Sequence, residues 1–410
     1  MKQIVLLAAC FLLLQVSFSQ SANDFYRKAE TALTAKDYTA AALAFADGIR
    51  AEGDATGIFR YRSAAAAFAL AENKDSAFYY LQLMTVSPKL TRVVVKNVEN
   101  GYEFNNLQKD KRWTALLTKL QKKAESNGYV QEELIYGRKD GMALTMVQIK
   151  PKVKPNGKAI IFVISGGWIS FYNGIEINTF WMTDILDRGY TIFAVMHGSG
   201  PRYAIPDNIT DMKRAVRYVR YHAGKFNIDP NKIGITGSSA GGHLSLMIAL
   251  SDDAVNTQAA DPVDRVSARV QVAAVLFPPT DLLNWGGAGL NMVNAKELVK
   301  QRGSYGAIDF KVWNEKLRIY EEVSDTAQRT KIGKESSPVY HVSSDDPPVY
   351  IIHGDADATV PLQQSKEMIN KLNAAGVKNK LVIKKGGRHT PDDMLPEYRE
   401  FVNWFDEHLK

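Results

Sequence analysis

Between residues 22 and 126, apolar side chains recur every three or four positions, the spacing that places them on one face of a helix. Short polar breaks at 36–37 and 73–75 separate these helical stretches. Trp113, Leu116 and Leu120 indicate a last amphipathic helix. We therefore predict a small all-α domain over residues 21–126, with the character of helical repeats.

The pattern changes at residue 130, where strand-like stretches begin to alternate with helical ones. Residues 132–138 and 142–150 alternate around Lys139-Asp140-Gly141, which predicts an antiparallel hairpin. Further strands are predicted at 159–164, 190–196, 233–236, 270–277, 348–353 and 380–384, and helices at 209–221, 244–250, 362–372 and 396–409. This alternation predicts an α/β domain over residues 130–410, with a mostly parallel sheet covered by helices on both faces.

Residues 284–336 interrupt this alternation with helical segments and a high content of aromatic residues. In an α/β sheet the ligand site lies at the carboxyl ends of the strands, so an insertion above those ends is well placed to cap a pocket. A surface insertion that packs on the domain without touching a substrate fits the same sequence.

The first 20 residues have the features of a secretory signal peptide. Lys2 gives a positive start, residues 4–14 are apolar, and Ser17 and Ser19 are small residues before a cleavage point. An apolar helix of about 11 residues is about 16 Å long, which is too short for the ~30 Å core of a bilayer. We therefore expect export to the periplasm or the medium, with no stable membrane span.

Cys10 is the single cysteine of the chain and lies inside this segment. The stretch Leu7-Ala8-Ala9-Cys10 resembles a lipoprotein processing site, but the apolar run continues to Leu14 and the region before Cys10 is short. We therefore expect no lipid anchor at Cys10. Cleavage near Gln20 would leave no cysteine, and hence no disulfide and no cysteine-based metal site.

The net charge of +7 is spread along 410 residues without a dense basic run. Proteins that bind nucleic acid usually carry such a run or patch, so we expect no nucleic-acid partner. A solvated surface of mixed charge accounts for the composition.

The candidate chemistry begins at a G-x-S-x-G pattern formed by Gly237, Ser239 and Gly241. A β-branched run precedes it and an apolar helix follows, which is the context of a nucleophile elbow. Strand and helix approach closely at such a turn, so the second neighbours of the nucleophile need to be glycine. Ser239 meets this condition and Ser238 does not, so we predict Ser239 as the nucleophile. His243, one helical turn further, is predicted to be a buried structural histidine.

A serine hydroxyl is a weak nucleophile until a base accepts its proton. In proteins with this elbow the acid and the histidine follow the serine along the chain, which leaves His341, His353, His389 and His408 as candidates. His389 lies in a glycine-rich segment after the last predicted strand, where a loop can bring the imidazole over the elbow. We therefore predict His389 as the base.

The acid should follow the strand predicted at 348–353. Asp357 is our prediction, because a carboxylate there can hold the imidazole in one tautomer and stabilise the imidazolium. Asp355 lies close by and is expected to shape the loop. Asp281, after the strand predicted at 270–277, is a third candidate.

Backbone N–H groups must stabilise the negative charge that develops on the substrate oxygen. Ser165-Gly166-Gly167-Trp168 follows the strand at 159–164, and its glycines allow a close approach of the backbone to substrate. We predict an oxyanion hole formed by Gly166, Gly167, Trp168 and Ala240. The alternative is a simple tight turn at 165–168.

From about residue 130 onward, the chain resembles the α/β-hydrolase superfamily, and most of all its carboxylesterase/lipase branch with acetyl-xylan and feruloyl esterase-like enzymes. The matching segments occur in the right order at 165–168, 211–220, 228–230, 237–244 and 353–361. The branch usually has His-Gly-Gly-Gly where this chain has Ser165-Gly166-Gly167-Trp168. The helical region lies outside this resemblance, and its two degenerate units loosely resemble tetratricopeptide-type repeats.

These residues predict an exported serine hydrolase that cleaves a carboxylic ester through an acyl-enzyme, with Ser239, Asp357 and His389 as the triad. The substrate would be a small-molecule ester, with a short acyl chain or a carbohydrate alcohol, and the chemistry needs no metal or cofactor. A serine peptidase of the prolyl-oligopeptidase type shares the fold and the triad. A non-catalytic protein that binds a protein partner through residues 22–126 is the alternative outside enzymes.

Overall fold

The computed structural model of the protein describes residues 21–286, 289–301, 303–394 and 397–410. The predicted signal peptide, including Cys10, lies outside the described residues. In the described ranges the helices are Ala22–Thr34 (α1), Tyr38–Glu52 (α2), Ile58–Leu70 (α3), Lys74–Met84 (α4), Arg92–Glu99 (α5), Trp113–Ser126 (α6), Gly174–Asp187 (α7), Ile205–Tyr221 (α8), Ala223–Phe226 (α9), Ala240–Leu250 (α10), Lys296–Gln301 (α11), Thr326–Glu335 (α12), Gln363–Ala374 (α13) and Glu400–His408 (α14). The strands in the same ranges are Val130–Lys139 (β1), Met142–Lys150 (β2), Ala159–Val163 (β3), Thr191–Val195 (β4), Ile233–Ser238 (β5), Val272–Leu276 (β6), Lys311–Asn314 (β7), Ile319–Glu322 (β8), Val349–Gly354 (β9) and Asn379–Lys384 (β10).

The N-terminal region is helical, as the periodicity predicts, and its polar breaks are helix starts. The side chain of Asp37 accepts a hydrogen bond from the N–H of Ala40 at the start of α2. The side chain of Asn73 does the same for Ser76 at the start of α4. Such N-caps satisfy backbone donors that have no partner inside the helix.

Eight of the described strands form one sheet in the order β1-β2-β4-β3-β5-β6-β9-β10. The β1–β2 and β2–β4 pairs are antiparallel and the remaining pairs are parallel, from β4–β3 to β9–β10. The prediction of a mostly parallel sheet is therefore confirmed, including the hairpin that opens it. The carboxyl ends of β3, β5, β9 and β10 lie at one edge, where the predicted site residues follow.

The sheet is covered on both faces because its central strands alternate between two hydrophobic cores. Ile160 and Phe162 of β3 belong to one core, which includes side chains of α7 and α14. Ile161 and Val163 belong to the other core, which includes side chains of α8, α10 and α13. Successive side chains of a strand point to opposite faces, so a continuous apolar run is what a strand buried on both sides requires.

The N-terminal helices share the first of these cores with the sheet. A buried ion pair joins the two parts. Arg60, on α3, has its Nη2 atom 2.8 Å from Asp393 Oδ1. The Arg60 guanidinium also lies over the ring of Tyr26, 3.9 Å from its centroid. Lys89 Nζ, just before α5, lies 2.9 Å from Asp184 Oδ2 on α7. The helical region is thus packed directly on the α/β domain.

The segment at 284–336 contains strands as well as the predicted helical segments. Besides α11 and α12 it contains the antiparallel hairpin β7–β8, with the rings of Trp313 and Tyr320 paired 5.0 Å apart. Each strand has four residues, which is too short for periodicity to separate a strand from a helix. Their side chains are mostly exposed, so the hairpin leaves little hydrophobic signal.

None of the helices in the described ranges is long and apolar enough to cross a membrane.

Replacing Arg60 by methionine should lower the free energy of unfolding by about 2–3 kcal/mol, as measured by urea denaturation. Breaking a buried ion pair costs about 3–5 kcal/mol, and Arg388 still contacts Asp393 in the variant. Arg50→Met is the matched control, because the Arg50 side chain is 70% exposed and its pair with Asp47 is worth less than about 1 kcal/mol. Equal losses in both variants would contradict the packing described here.

Candidate active site

Ser239 lies between β5 and α10 in a strained backbone conformation, with φ 53° and ψ −123°. A Cβ on Gly237 would lie 2.6 Å from the backbone carbonyl of Gly241, and a Cβ on Gly241 would lie 2.8 Å from the carbonyl oxygen of Val163. Any residue other than glycine would therefore clash at both positions. A positive φ at a non-glycine residue persists only where the surroundings enforce it, and here the close approach of strand and helix does so.

Three side chains from separate loops meet at this turn. His389 Nε2 lies 2.8 Å from Ser239 Oγ, and His389 Nδ1 lies 2.7 Å from Asp357 Oδ2. A carboxylate can only accept, so Nδ1–H donates to Asp357 and Nε2 accepts from the serine hydroxyl. Asp357 follows β9 and His389 follows β10, so the carboxyl ends of adjacent strands bring them together.

The side chain of Asp357 is inaccessible to solvent, and its hydrogen bonds hold it as a carboxylate. Burial raises the pKa of Asp357, but hydrogen bonds from His353 and His389 outweigh it and hold the pKa well below its usual range. The N–H groups of Thr359 and Val360 also donate to Oδ1, at 2.8 and 2.9 Å. The negative charge next to His389 is therefore preserved throughout the neutral pH range.

The other candidate histidines do not reach Ser239. His353 Nε2 lies 3.3 Å from Asp357 Oδ2, so His353 contacts the carboxylate from inside the domain. His341 and His408 instead contact backbone carbonyl oxygens, those of Glu335 and Trp404.

The other candidate acids are used elsewhere. Asp355 Oδ1 accepts the N–H of Gly386 at 2.5 Å, which ties two loops together as expected for a loop-shaping residue. Asp281 accepts the N–H of Leu283 and the hydroxyl of Tyr340.

The turn after β3 presents backbone donors beside Ser239. Gly167 and Trp168 have positive φ values of 56° and 60° and line the same cavity as the serine. Gly166 N–H donates to Ile169 O at 3.0 Å, so this predicted donor is occupied in closing the turn. Among the described residues no backbone carbonyl accepts from the N–H of Gly167, Trp168 or Ala240. These three are the donors that the geometry leaves for an oxyanion.

A cavity of about 670 Å³ opens over Ser239 and His389. Its walls are largely apolar, and no charged aspartate, glutamate, lysine or arginine lines it among the described residues. The segment at 284–336 supplies five of its lining residues: Trp285, Met292, Val299, Ser304 and Ile308. Of the two roles left open for this segment, the structure favours a wall of the pocket.

Within the described ranges, no group of three or more histidine, cysteine, aspartate or glutamate side chains is arranged to hold a metal ion.

A family model described as BD-FAE matches residues 147–372, more than half of the chain. The chain belongs to the BD-FAE family. Two proteins of Mycobacterium tuberculosis are similar at 29% identity: LipM, named a probable carboxylic ester hydrolase, and the esterase LipQ. The matches cover 54% and 55% of this chain and 47% and 49% of the two relatives. The BD-FAE chain thus spans about half the length of the curated relatives it matches.

Solved structures share the fold. A truncated carbohydrate esterase from gut microbiota superposes with a TM-score of 0.56 at 24% identity, over 68% of this chain and 97% of its own. An acetyl ester-xyloside bifunctional hydrolase from Caldicellulosiruptor lactoaceticus superposes with a TM-score of 0.53 at 25% identity, over 67% and 96%. The predicted α/β-hydrolase fold of this BD-FAE protein is confirmed.

Trp168 is held by a buried histidine that the sequence identified only as structural. The indole N–H of Trp168 donates to His243 Nδ1 at 3.0 Å, and His243 Nε2 lies 2.7 Å from Ser336 O. Burial lowers the pKa of His243 to about 4, so the ring is neutral and can accept on Nδ1. The helix that starts at the elbow therefore also positions the turn that carries the backbone donors.

Ser165, where the related branch usually has histidine, contacts a histidine from another strand. His197, just after β4, has Nε2 2.8 Å from Ser165 Oγ and Nδ1 2.6 Å from Gly198 O. Burial lowers the pKa of His197 to about 4. His197 directly follows the strand predicted at 190–196, as the residues of the site follow theirs, and this position is the signal in the sequence that indicates it.

A second cleft, of about 570 Å³, also borders His389. It shares Ala358, Thr359 and His389 with the first cavity. The other described residues that line it are Glu30, Arg60, Ser63, Ala356, Arg388, Thr390 and Asp392. Three of them, Glu30, Arg60 and Ser63, belong to the N-terminal helices, so the helical region borders the triad.

Asp392→Asn should stabilise the protein at neutral pH. Burial raises the pKa of Asp392 to about 6, against the opposing charge of Arg60, whereas an unfolded chain has a value of about 3.9. The folded state thus binds the proton more tightly, and wild-type stability falls as pH rises from about 4 to about 6. We expect the free energy of unfolding of the variant to exceed that of wild type by about 1–2 kcal/mol at pH 7–8 and to match it near pH 4. Urea denaturation across this range measures the two free energies, and a difference between them that does not change with pH would contradict the prediction.

Proposed function

We propose that this BD-FAE protein is a serine esterase that works through an acyl-enzyme. The observation that carries the proposal is the chain of short hydrogen bonds from Ser239 through His389 to Asp357. The family and the esterases among its relatives support an ester as the substrate.

In the first half of the reaction, Ser239 Oγ attacks the ester carbonyl while its proton passes to His389 Nε2. Asp357 stabilises the resulting imidazolium. The carbonyl oxygen becomes an oxyanion, which the N–H groups of Gly167, Trp168 and Ala240 would receive. The tetrahedral intermediate then breaks its bond to the alcohol oxygen, and this oxygen takes the proton from His389.

In the second half, water attacks the acyl carbon and gives a proton to His389. The intermediate breaks its bond to Ser239 Oγ, which recovers the proton. The carboxylic acid leaves, and the triad returns to its starting state. Each proton released in one step is used in the next, so no cofactor enters the cycle.

The apolar cavity supports an uncharged acyl group. Its apolar lining residues include Phe277, Leu282, Met292, Val299 and Ile308. No aspartate, glutamate, lysine or arginine lines it among the described residues, so a charged acyl chain would find no partner there. Its volume lies in the range of small-molecule sites. We therefore propose that the acyl chain occupies this cavity and that 284–336 limits its length.

We also propose that the chain is exported, which is supported by the pattern of residues 1–20. N-terminal sequencing of the mature protein tests this.

Ser239→Ala should lower kcat for p-nitrophenyl acetate and butyrate by about 10⁴-fold or more, because the nucleophile is removed. Ser238→Ala, at the neighbouring serine, is the matched control and should change kcat less than about tenfold. Circular dichroism checks that both variants are folded. A folded wild-type protein inactive on every ester but active on peptide amides would favour the peptidase instead.

Val299→Phe should shift the preference of the enzyme toward shorter acyl chains. The buried Val299 of α11 lines the cavity, so a larger ring there would exclude long chains. We expect kcat/KM for p-nitrophenyl octanoate to fall about tenfold more than that for the acetate, since steric exclusion acts on the longer chain. Val312→Phe, in the same insertion but exposed on β7, is the control and should leave the ratio of the two values unchanged.

A further inference from the structure

We propose that Arg329 of α12 is a positioning residue that holds the wall of the cavity over Ser239, and that it thereby sets the length of acyl chain that the enzyme accepts. The proposal rests on the esterase function above. It assigns a role to a buried charged residue that takes no part in the triad or in the oxyanion hole.

Arg329 is buried, with 1% of its surface exposed, and it binds backbone carbonyl groups from three places in the 284–336 segment. Its Nε donates to Val293 O at 2.9 Å, and Nη2 contacts the same oxygen. Nη2 also donates to Ile308 O at 2.9 Å, and Nη1 donates to Val323 O at 3.1 Å. One side chain thus fixes three stretches of backbone to α12.

A guanidinium at this place provides geometry more than stability. All hydrogen bonds of the Arg329 side chain within the described ranges go to carbonyl oxygens rather than to a carboxylate. A buried cation without a paired anion is costly, and a hydrophobic side chain could fill the space without that cost. The planar fork of arginine, however, points its donors in fixed directions, so it determines where the bound carbonyl groups lie.

The stretch of chain between two of these carbonyl groups forms a wall of the cavity. Val293 and Ile308 are the ends of the range 293–308, and Arg329 binds both ends. The residues of this range that line the cavity are Val299, Ser304 and Ile308. None of the described residues that line the cavity belongs to α12. Arg329 therefore acts on an acyl chain through the wall that it holds.

The rest of α12 is packed closely enough to serve as a rigid support for this wall. A Cβ on Gly333 would lie 2.9 Å from Leu283 Cδ2 and 3.0 Å from both methyl groups of Val293, which is closer than carbon atoms normally approach. Just after the helix, Ser337 Oγ donates to Gly333 O at 2.7 Å and accepts the N–H of Leu282, another lining residue, at 3.0 Å.

The direction of the effect follows from the carbonyl groups. Without the guanidinium, the carbonyl oxygens of Val293, Ile308 and Val323 lose this donor in the interior. Buried polar groups without partners are costly, so the backbone lowers its free energy by moving until these oxygens reach water. Such a movement draws the wall away from Ser239 and widens the cavity. The limit on acyl length should then relax.

The test is the ratio of kcat/KM for p-nitrophenyl octanoate to that for p-nitrophenyl acetate. In Arg329→Met, which keeps an extended side chain but has no donors, the ratio should rise about fivefold or more because the longer chain gains space. This change is opposite in sign to that expected for Val299→Phe. Lys331→Met is the matched control, because Lys331 lies on the same helix with 76% of its side chain exposed, and its ratio should equal that of wild type.

A merely structural role of Arg329 would give a different result. Partial unfolding lowers both rates by the same factor, so the thermal stability would fall while the ratio stayed at the wild-type value. An unchanged or lower ratio in folded Arg329→Met would therefore overturn this inference and leave the proposed function intact. A folded wild type that cleaves no ester would overturn the proposed function, and this inference with it.

Arg329→Lys is the second variant, for the case that Arg329→Met does not fold. An ammonium group keeps the charge but cannot reproduce the planar fork, so only part of the hydrogen bonding is retained. We expect the ratio to rise by about twofold, less than in Arg329→Met. Where Arg329→Met does not fold, an unchanged ratio in folded Arg329→Lys would overturn the inference in the same way.

Discussion

The close approach of α10 to the ends of β3 and β5 is the constraint on which the site depends. It requires glycine at 237 and 241 and forces Ser239 into a conformation that costs of order 1–3 kcal/mol. Every residue of α10 is buried, so hydrophobic packing along the helix offsets this strain. The same helix fixes Trp168 through His243. One packing contact thus orients both the hydroxyl and the turn opposite to it.

The buried carboxylate of Asp357 fixes the position of His389 beside Ser239. An isolated charge in the interior is costly, and Asp357 is tolerated because several donors converge on it. One of these donors is His353, which is itself held between Ser365 and the carbonyl of Val360. The resulting network fixes the tautomer of His389, and only that tautomer can accept a proton from Ser239.

Local signals in the sequence were sufficient for the sheet, for its flanking helices and for the residues that meet at Ser239. The spacing of the glycines and the position of each site residue after a strand are visible within a few residues. The order of the triad residues along the chain is visible without any knowledge of contacts. The remaining features depend on contacts between distant segments, such as Trp168 with His243 or Ser165 with His197. The hairpin β7–β8 was missed for a different reason, because strands of four mostly exposed residues give no periodic signal.

The contact of the helical region with the loop that carries His389 also could not be foreseen, and it changes how that region is understood. A helical module that only binds a partner needs no particular geometry toward the active site. Here Arg388 contacts both α1 and Asp393, and it precedes His389 by one residue. Any displacement of α1 or α3 would disturb the loop that carries the imidazole. The helical region is therefore a structural part of the site.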